Sequence, residues 1–348
     1  MPDSRIRVLI VDDSAIVRKV LTDALLPEPD IEVVGTAPDP FVARDKILSL
    51  QPDVITLDIE MPRMDGVTFL KKLMHYHPLP VIVISSLGSS SSRVALEALD
   101  AGAIDVVAKP GGPQSVGELR LSLASKIRAA KVARLRPAPS AVSAKRSQSI
   151  PSPIGRPFPA SAVIAIGAST GGTEAIQEVL VGLPENCPPI LITQHIPAVF
   201  SRSFADRLNE MCAIRVREAE DGARVESGLA LVAPGTFHML LKGSAGRYRV
   251  EVKDGPMVCF QRPAVDVLFH SVAQSAGPNA TGVILTGMGS DGTQGMIAMK
   301  RAGARTIAQD EGSCVVFGMP KEAIRQGAVD RILPLSAIQN ALLVEARR

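Results

Sequence analysis

The stretch Ala162-Val-Ile-Ala-Ile-Gly-Ala-Ser-Thr-Gly-Gly172 decides how the second half of this chain folds. Its first five residues, apolar and partly β-branched, read as a buried strand. The glycines then read as a tight turn and Glu174–Val181 as the helix after it. Strand, turn and helix in that order form the unit of a parallel α/β sheet. A glycine turn in that place either cradles a phosphate on backbone N–H groups or lifts Ser169 out as a nucleophile.

Outward from this stretch the alternation continues. Apolar runs at Ile190–Ile192, Leu229–Val232, Gly282–Leu285 and Thr306–Ala308 alternate with helical stretches such as Met296–Arg301. Phe237–Leu241 and Tyr248–Val252 read as a β-hairpin excursion. The first half repeats the scheme more regularly. Strand-like runs at Val8–Val11, Ile31–Val34, Val54–Leu57, Val81–Ile84 and Asp105–Ala108 enclose helical patterns at Ser14–Leu26, Phe41–Leu50, Val67–Tyr76 and Arg93–Ala101, with another from Gly117 into the linker that follows. Both halves are therefore α/β, the first a doubly wound, flavodoxin-like sheet of five parallel strands. Between them, from Arg128 to Arg156, Ala, Pro and Ser dominate with seven basic residues and no acidic one, which reads as a linker. The expected division is residues 1–125, a linker over 126–159, and 160–348.

Composition narrows the function classes. The 348 residues carry a net charge of +3, too little to imply nucleic-acid binding, and 46% hydrophobic residues, ordinary for a globular chain. No apolar run suits a membrane span. Nothing after Pro159 offers a helix-turn-helix with a basic face, which a DNA-binding output would need. Cys187, Cys212, Cys259 and Cys314 form no C-x-x-C pair and read as small buried side chains in a reducing compartment.

In the first half, three strand ends carry charge: Asp12-Asp13 after the first, Asp58 at the third, Lys109 after the fifth. Carboxylates gathered by adjacent parallel strands repel unless a cation sits among them, and hard oxygen ligands around an open site suit Mg²⁺. Lys109 and Ser85, at the fourth strand's end, suit an arriving phosphoryl group. The segments VLIVDDS, VITLDIEMPRMDG, VIVISS and DVVAKP resemble the receiver domain of bacterial response regulators. The resemblance implies Asp58 as phosphoacceptor, Mg²⁺ held by Asp12, Asp13, Asp58 and the Glu60 carbonyl, and Ser85 and Lys109 as switch residues. Val106 departs from it, standing where receivers often carry an aromatic side chain, which leaves the switch to Ser85 and loop movement.

In the second half, the phosphate reading of GASTGG is poor, because Thr173-Glu174 follow Gly172 where a P-loop needs lysine. GMGSDG, Gly287 to Gly292, fits G-x-G-x-x-G, with Asp310 eighteen residues on. Only 38 residues follow Asp310, too few for the rest of a dinucleotide-binding sheet. The alternative it leaves is a response regulator whose second half binds a nucleotide without catalysis. G-A-S-T-G is also a G-x-S-x-G sequence between strand and helix, the setting of a nucleophile elbow. Serine needs a base held by a carboxylate. His195, just beyond the PILIT strand, shares the rim with Ser169, and Asp291 lies at another strand end on that rim. Met288 is a candidate donor to an oxyanion. His75 and His77 read as surface residues, Asp266 and His270 as one helix face, and His238 as either packing or a substrate contact.

Taken together, GASTGG, QHIP, LVAPGTFHM, RPAVDVLFHSVA and GVILTGMGSDG resemble the catalytic domain of chemotaxis protein-glutamate methylesterases. The resemblance places that family's serine, histidine and aspartate on Ser169, His195 and Asp291. It implies hydrolysis of glutamyl γ-methyl esters, and deamidation of glutamines, on methyl-accepting chemotaxis receptors, gated by phosphorylation from a histidine kinase. It also implies a cytoplasmic, monomeric protein that neither binds nucleic acid nor inserts in a membrane, and an esterase without a cofactor.

Overall fold

The computed structural model describes residues 5–62, 64–86, 88–109, 116–135, 158–244 and 246–347. Two compact units are present, one within residues 1–143 and one within 144–348. The first holds a parallel sheet of β1 (Ile6–Val11), β2 (Ile31–Ala37), β3 (Val54–Asp58), β4 (Val81–Ser85) and β5 (Asp105–Ala108), ordered β2-β1-β3-β4-β5. The strand order reverses between β1 and β3, and the crevice for ligands in such sheets lies outside the strand ends at that point. Asp12 follows β1 and Asp58 ends β3, so the topology alone brings these two carboxylates together.

Helices α1 (Ala15–Leu25), α2 (Pro40–Leu50), α3 (Gly66–Tyr76), α4 (Ser89–Asp100) and α5 (Val116–Lys131) flank the sheet. Ser14, Asp39 and Asp65 cap the first three, each side chain accepting N–H groups of the opening turn. The last helix runs on into the stretch read as a linker. It continues past Arg128 to Lys131, with Ala129 and Ala130 fully buried. Arg128 donates to Asp30 and Glu28, and Lys131 to Asp53. The basic residues that open the supposed linker are thus ion-paired parts of a helix. Residues 136–157, which hold most of the Pro- and Ser-rich segment, lie outside the described residues.

The second unit is built on seven parallel strands: β6 (Val163–Ala168), β7 (Ile190–Gln194), β8 (Arg215–Glu218), β9 (Leu229–Val232), a hairpin pair set aside from the sheet, β10 (His238–Ser244) and β11 (Arg247–Lys253), then β12 (Ala280–Ile284), β13 (Arg305–Gln309) and β14 (Arg331–Leu333). The sheet order is β14-β13-β12-β6-β7-β9-β8. The chain enters at the centre, in β6, with β7 on one side and β12 on the other, so the switch point falls at the end of β6. The connecting helices are α6 (Gly172–Val181), α7 (Ala198–Met211), α8 (Val265–Ala276), α9 (Thr293–Arg301), α10 (Met319–Arg325) and α11 (Leu335–Glu345). Met239, Leu241, Tyr248 and Val250 of the hairpin share one core with Leu268, Phe269 and Val272 of α8. Among the described residues no helix is long and apolar enough to cross a membrane.

Candidate active site

Strand register assembles the site. In β6 and β7, Ala168 pairs with Gln194, and the His195 N–H donates to the Ala168 carbonyl at 3.1 Å. Ser169 and His195 are the next residue along each strand, so the ladder sets the two side by side. On the other flank Gly167 pairs with Ile284 of β12, and the Ser169 N–H donates to the Thr286 carbonyl at 3.0 Å. Gly171 then takes φ +75°, a left-handed turn that other residues adopt only with strain, and α6 starts at Gly172. The positive end of α6 thereby faces the turn that carries Ser169.

Asp291 arrives on the loop after β12 and is held on three sides. Its Oδ2 accepts from His195 Nε2 at 2.8 Å and from the Val265 N–H at 2.7 Å; its Oδ1 accepts from the Asp266 N–H at 2.9 Å. The residue at the N-cap of α8 is Ala264, which has no capping side chain. Asp291 supplies that cap from across the fold. Burial alone would raise its carboxyl, but the hydrogen bond and charge of His195 and the two N–H groups outweigh it and hold the carboxyl below its ordinary range. With Nε2 committed to Asp291, Nδ1 is the ring's free acceptor. It is buried and makes no hydrogen bond among the described residues. The structure therefore joins His195 to Asp291 and sets Ser169 on the neighbouring strand end, without a hydrogen bond from Ser169 to the ring. Such bonds commonly form only once substrate is bound. Ser169 and His195 are 8% and 7% exposed, a site largely withdrawn from water.

The remaining candidates fall into place differently. Met288 stands on the rim, 38% exposed, after Gly287, whose N–H is fixed on the Val316 carbonyl at 3.0 Å. His238 proves to be packing: Nδ1 accepts the Ala264 N–H and Nε2 donates to the Pro256 carbonyl, so both ring nitrogens are used inside the protein. Asp266 and His270 share a helix but not a partner, since Asp266 is buried on the Gly295 N–H and His270 is exposed. His75 and His77 are exposed. Cys187 and Cys314 are buried as expected and Cys212 partly so, but Cys259 is exposed; it sits on a loop at φ +51° rather than in a core. GMGSDG turns its acid inward to His195 and α8, leaving a carboxylate where a phosphate cradle would need donors.

Two residues given no role by the sequence reading, Thr286 and Gln309, brace the elbow. Thr286 Oγ1 donates to the Thr170 carbonyl at 3.0 Å and accepts the Val316 N–H at 2.9 Å, while its own N–H goes to Gln309 Oε1 at 2.8 Å. Their one trace in the sequence is a polar residue closing a buried apolar strand.

In the first unit, Asp12 and Asp58 are fully buried and Asp13 is exposed beside them, each offering an oxygen within 4.8 Å of the others. Lys109 Nζ lies 2.7 Å from Asp58 Oδ2 and 3.2 Å from Asp12 Oδ2. Burial, then repulsion from Asp58, raises the Asp12 carboxyl, with Lys109 and the Ser14 N–H opposing. One half-buried ammonium does not balance three clustered carboxylates, and that cluster is the donor set of a hard divalent cation. The Glu60 side chain is engaged elsewhere: its carboxylate accepts from Ser86 Oγ at 2.7 Å and from Ser91 Oγ. Ser85 is buried, its hydroxyl donating to the Ser91 carbonyl at 3.4 Å. Val106 is buried in β5 beside Val83.

An acidic pocket of receiver type on one unit and an elbow serine beside a histidine–carboxylate pair on the other define a class, the receiver-coupled α/β hydrolases. Comparison with known proteins narrows it. Residues 164–342 match the family model for CheB methylesterase, and residues 8–119 that for the response regulator receiver domain. The chain is 56% identical to protein-glutamate methylesterase/protein-glutamine glutaminase 2 of Syntrophus aciditrophicus, over 98% of this chain and 99% of that one. It is 57% identical to protein-glutamate methylesterase/protein-glutamine glutaminase 4 of Anaeromyxobacter dehalogenans, over 97% and 94%. The crystal structure of the Thermotoga maritima CheB methylesterase catalytic domain, 40% identical, covers 53% of this chain and 97% of its own, with a TM-score of 0.51. The chain belongs to the protein-glutamate methylesterase/protein-glutamine glutaminase family.

Proposed function

We propose that this chain hydrolyses glutamyl γ-methyl esters, and deamidates glutamines, on methyl-accepting chemotaxis receptors in the cytoplasm, under control of phosphorylation at Asp58 by a histidine kinase. The observation that carries the reading is the His195–Asp291 pair at the strand end beside Ser169. Ser169 Oγ attacks the γ-carbonyl and gives its proton to His195 Nδ1. Asp291 keeps the other ring proton on Nε2, which leaves Nδ1 free to accept. The oxyanion rests on N–H donors that include Met288, and the leaving methanol, or ammonia, takes the proton back from His195. Water repeats the sequence and frees the glutamate. No esterase cofactor enters this scheme, and the working unit is a monomer. The receiver extends through Lys131, and the catalytic unit starts near residue 160.

In the receiver, Asp12, Asp13, Asp58 and the Glu60 carbonyl would hold Mg²⁺, which when bound neutralises the carboxylates and the incoming phosphoryl oxygens. Lys109 pairs with the phosphoryl group, and Ser85 leaves the Ser91 carbonyl to reach it. Millimolar Mg²⁺ is expected to raise the unfolding midpoint of the first unit. Asp12→Asn, which removes one repelling carboxylate, is expected to raise that midpoint in EDTA and abolish the Mg²⁺ increment; scanning calorimetry with and without the ion reads both.

The reading is tested by methanol release from methylated receptor membranes with and without a small-molecule phosphodonor. The donor should stimulate the wild type and leave Asp58→Ala at its basal rate. Equal stimulation of Asp58→Ala would remove Asp58 from the control.

A further inference from the structure

Gln194 ends β7, is buried, and is used by none of the steps above. Its Nε2 donates to the Ser169 carbonyl at 2.8 Å and to the His195 carbonyl at 3.3 Å. Two carbonyls only accept, so the amide's NH₂ must face them, and its two hydrogens match the two acceptors. Its Oε1 is buried without a hydrogen-bond partner among the described residues. The space for that oxygen exists because residue 172 is glycine: a Cβ there would lie 2.1 Å from it. A Leu or Met would fill the volume without stranding an oxygen, a burial that destabilises. What distinguishes glutamine here is what its nitrogen holds.

We propose that Gln194 is a positioning residue that ties the backbones of nucleophile and base to one another, an inference that rests on the hydrolase reading above. Ser169 is fixed at its N–H by Thr286 and at its carbonyl by Gly172 (2.7 Å) and Gln194. His195 is fixed at its N–H by Ala168 and at its carbonyl by the same Gln194 nitrogen. With N, Cα and C of both residues anchored, both Cβ directions are set, and with them the approach of Ser169 Oγ to His195 Nδ1. The pairing also accounts for the last glycine of GASTGG, Gly172, lying against the glutamine of QHIP.

The test uses the full chain with phosphodonor, comparing wild type, Gln194→Met, Gln194→Leu and Ser169→Ala. It reads kcat and KM for methanol release, the rate of Ser169 labelling by a fluorophosphonate, and the unfolding midpoint. Loss of the tie should lower kcat and labelling together, by about 10- to 100-fold, with KM within twofold of wild type. Folded Gln194→Met with wild-type kcat, or a change in KM alone, would overturn the proposal. Failure of both Gln194 variants to fold would overturn it too, by making the residue part of the fold rather than of the site. Ser169→Ala separates the two readings. If it retains activity, the hydrolase reading itself fails; if it is inactive while Gln194→Met runs at full rate, only the role of Gln194 fails.

Discussion

Ser169→Ala is expected to lower kcat for methanol release by about 10⁴-fold or more while the protein stays folded. The size of the effect follows from the chemistry: without Oγ no acyl-enzyme forms, and His195 is left to activate water against a carbonyl positioned for a different attacker. The side chain itself contributes little to the fold. The Ser169 contacts that hold the turn run through its backbone, from its N–H to Thr286 and from Gly172 and Gln194 to its carbonyl. Alanine keeps all of these. Thermal unfolding should therefore be nearly unchanged, and the inactive variant should still bind methylated receptor membranes in a sedimentation assay. A variant that keeps more than a hundredth of the wild-type rate would show that Ser169 is not the nucleophile.

Asp291→Asn should be nearly as damaging to rate, about 10⁴-fold, and unlike Ser169→Ala it should also weaken the fold. Every group around this carboxylate donates: His195 Nε2 and the N–H groups of Val265 and Asp266. An asparagine offers one acceptor oxygen and an NH₂, so either the Asp266 N–H, or His195 Nε2 together with the Val265 N–H, meets an NH₂. If the NH₂ faces His195, Nε2 must become the acceptor, and Nδ1 carries the proton and cannot take another from serine. If it faces Asp266, α8 loses part of its cap, at about 1–3 kcal/mol for a buried donor left unpaired. The pH dependence has a fixed sign. The Asp291 carboxyl is held below its ordinary value of 3.8 in the folded state. Its stabilisation is therefore complete above that value and lost only as pH falls through the lower, folded one. In urea titrations, the gap between wild type and Asp291→Asn should be constant near neutrality and close below about pH 4.

Much of this was legible in the chain because its strands are short, buried and punctuated. VLIVDD and VITLD announce both a strand and the acid at its end, and GASTGG announces a strand, a turn and a helix. Elements that serve as edges were not legible: Arg215–Glu218 has one buried side chain, Val216, and Arg331–Leu333 is three residues long. Helix α7 did carry a signal, Phe200, Phe204 and Leu208 at four-residue spacing, all buried. In the site, residues with a chemical identity could be named in advance, whereas those that act through a backbone contact could not. Thr286 and Gln309 meet the elbow only through register between strands far apart in sequence. His238 was ambiguous because a histidine that satisfies two backbone groups looks, in sequence, like one that meets a substrate. Composition shifts at Arg128, three residues before helix α5 ends, and the helix runs on because Arg128 itself is clamped to Asp30 and Glu28.

The absent side-chain cap on α8 has an evolutionary consequence. A descendant of this chain that abandons hydrolysis and keeps only its signalling contacts is not free to let Asp291 drift, because the same two oxygens hold the start of a helix that underlies the hairpin. Ser169 has no such second duty. Lineages that lose the chemistry should therefore shed the serine first and retain the aspartate long after it has ceased to orient anything, so that a conserved acid alone is poor testimony that an enzyme is still alive.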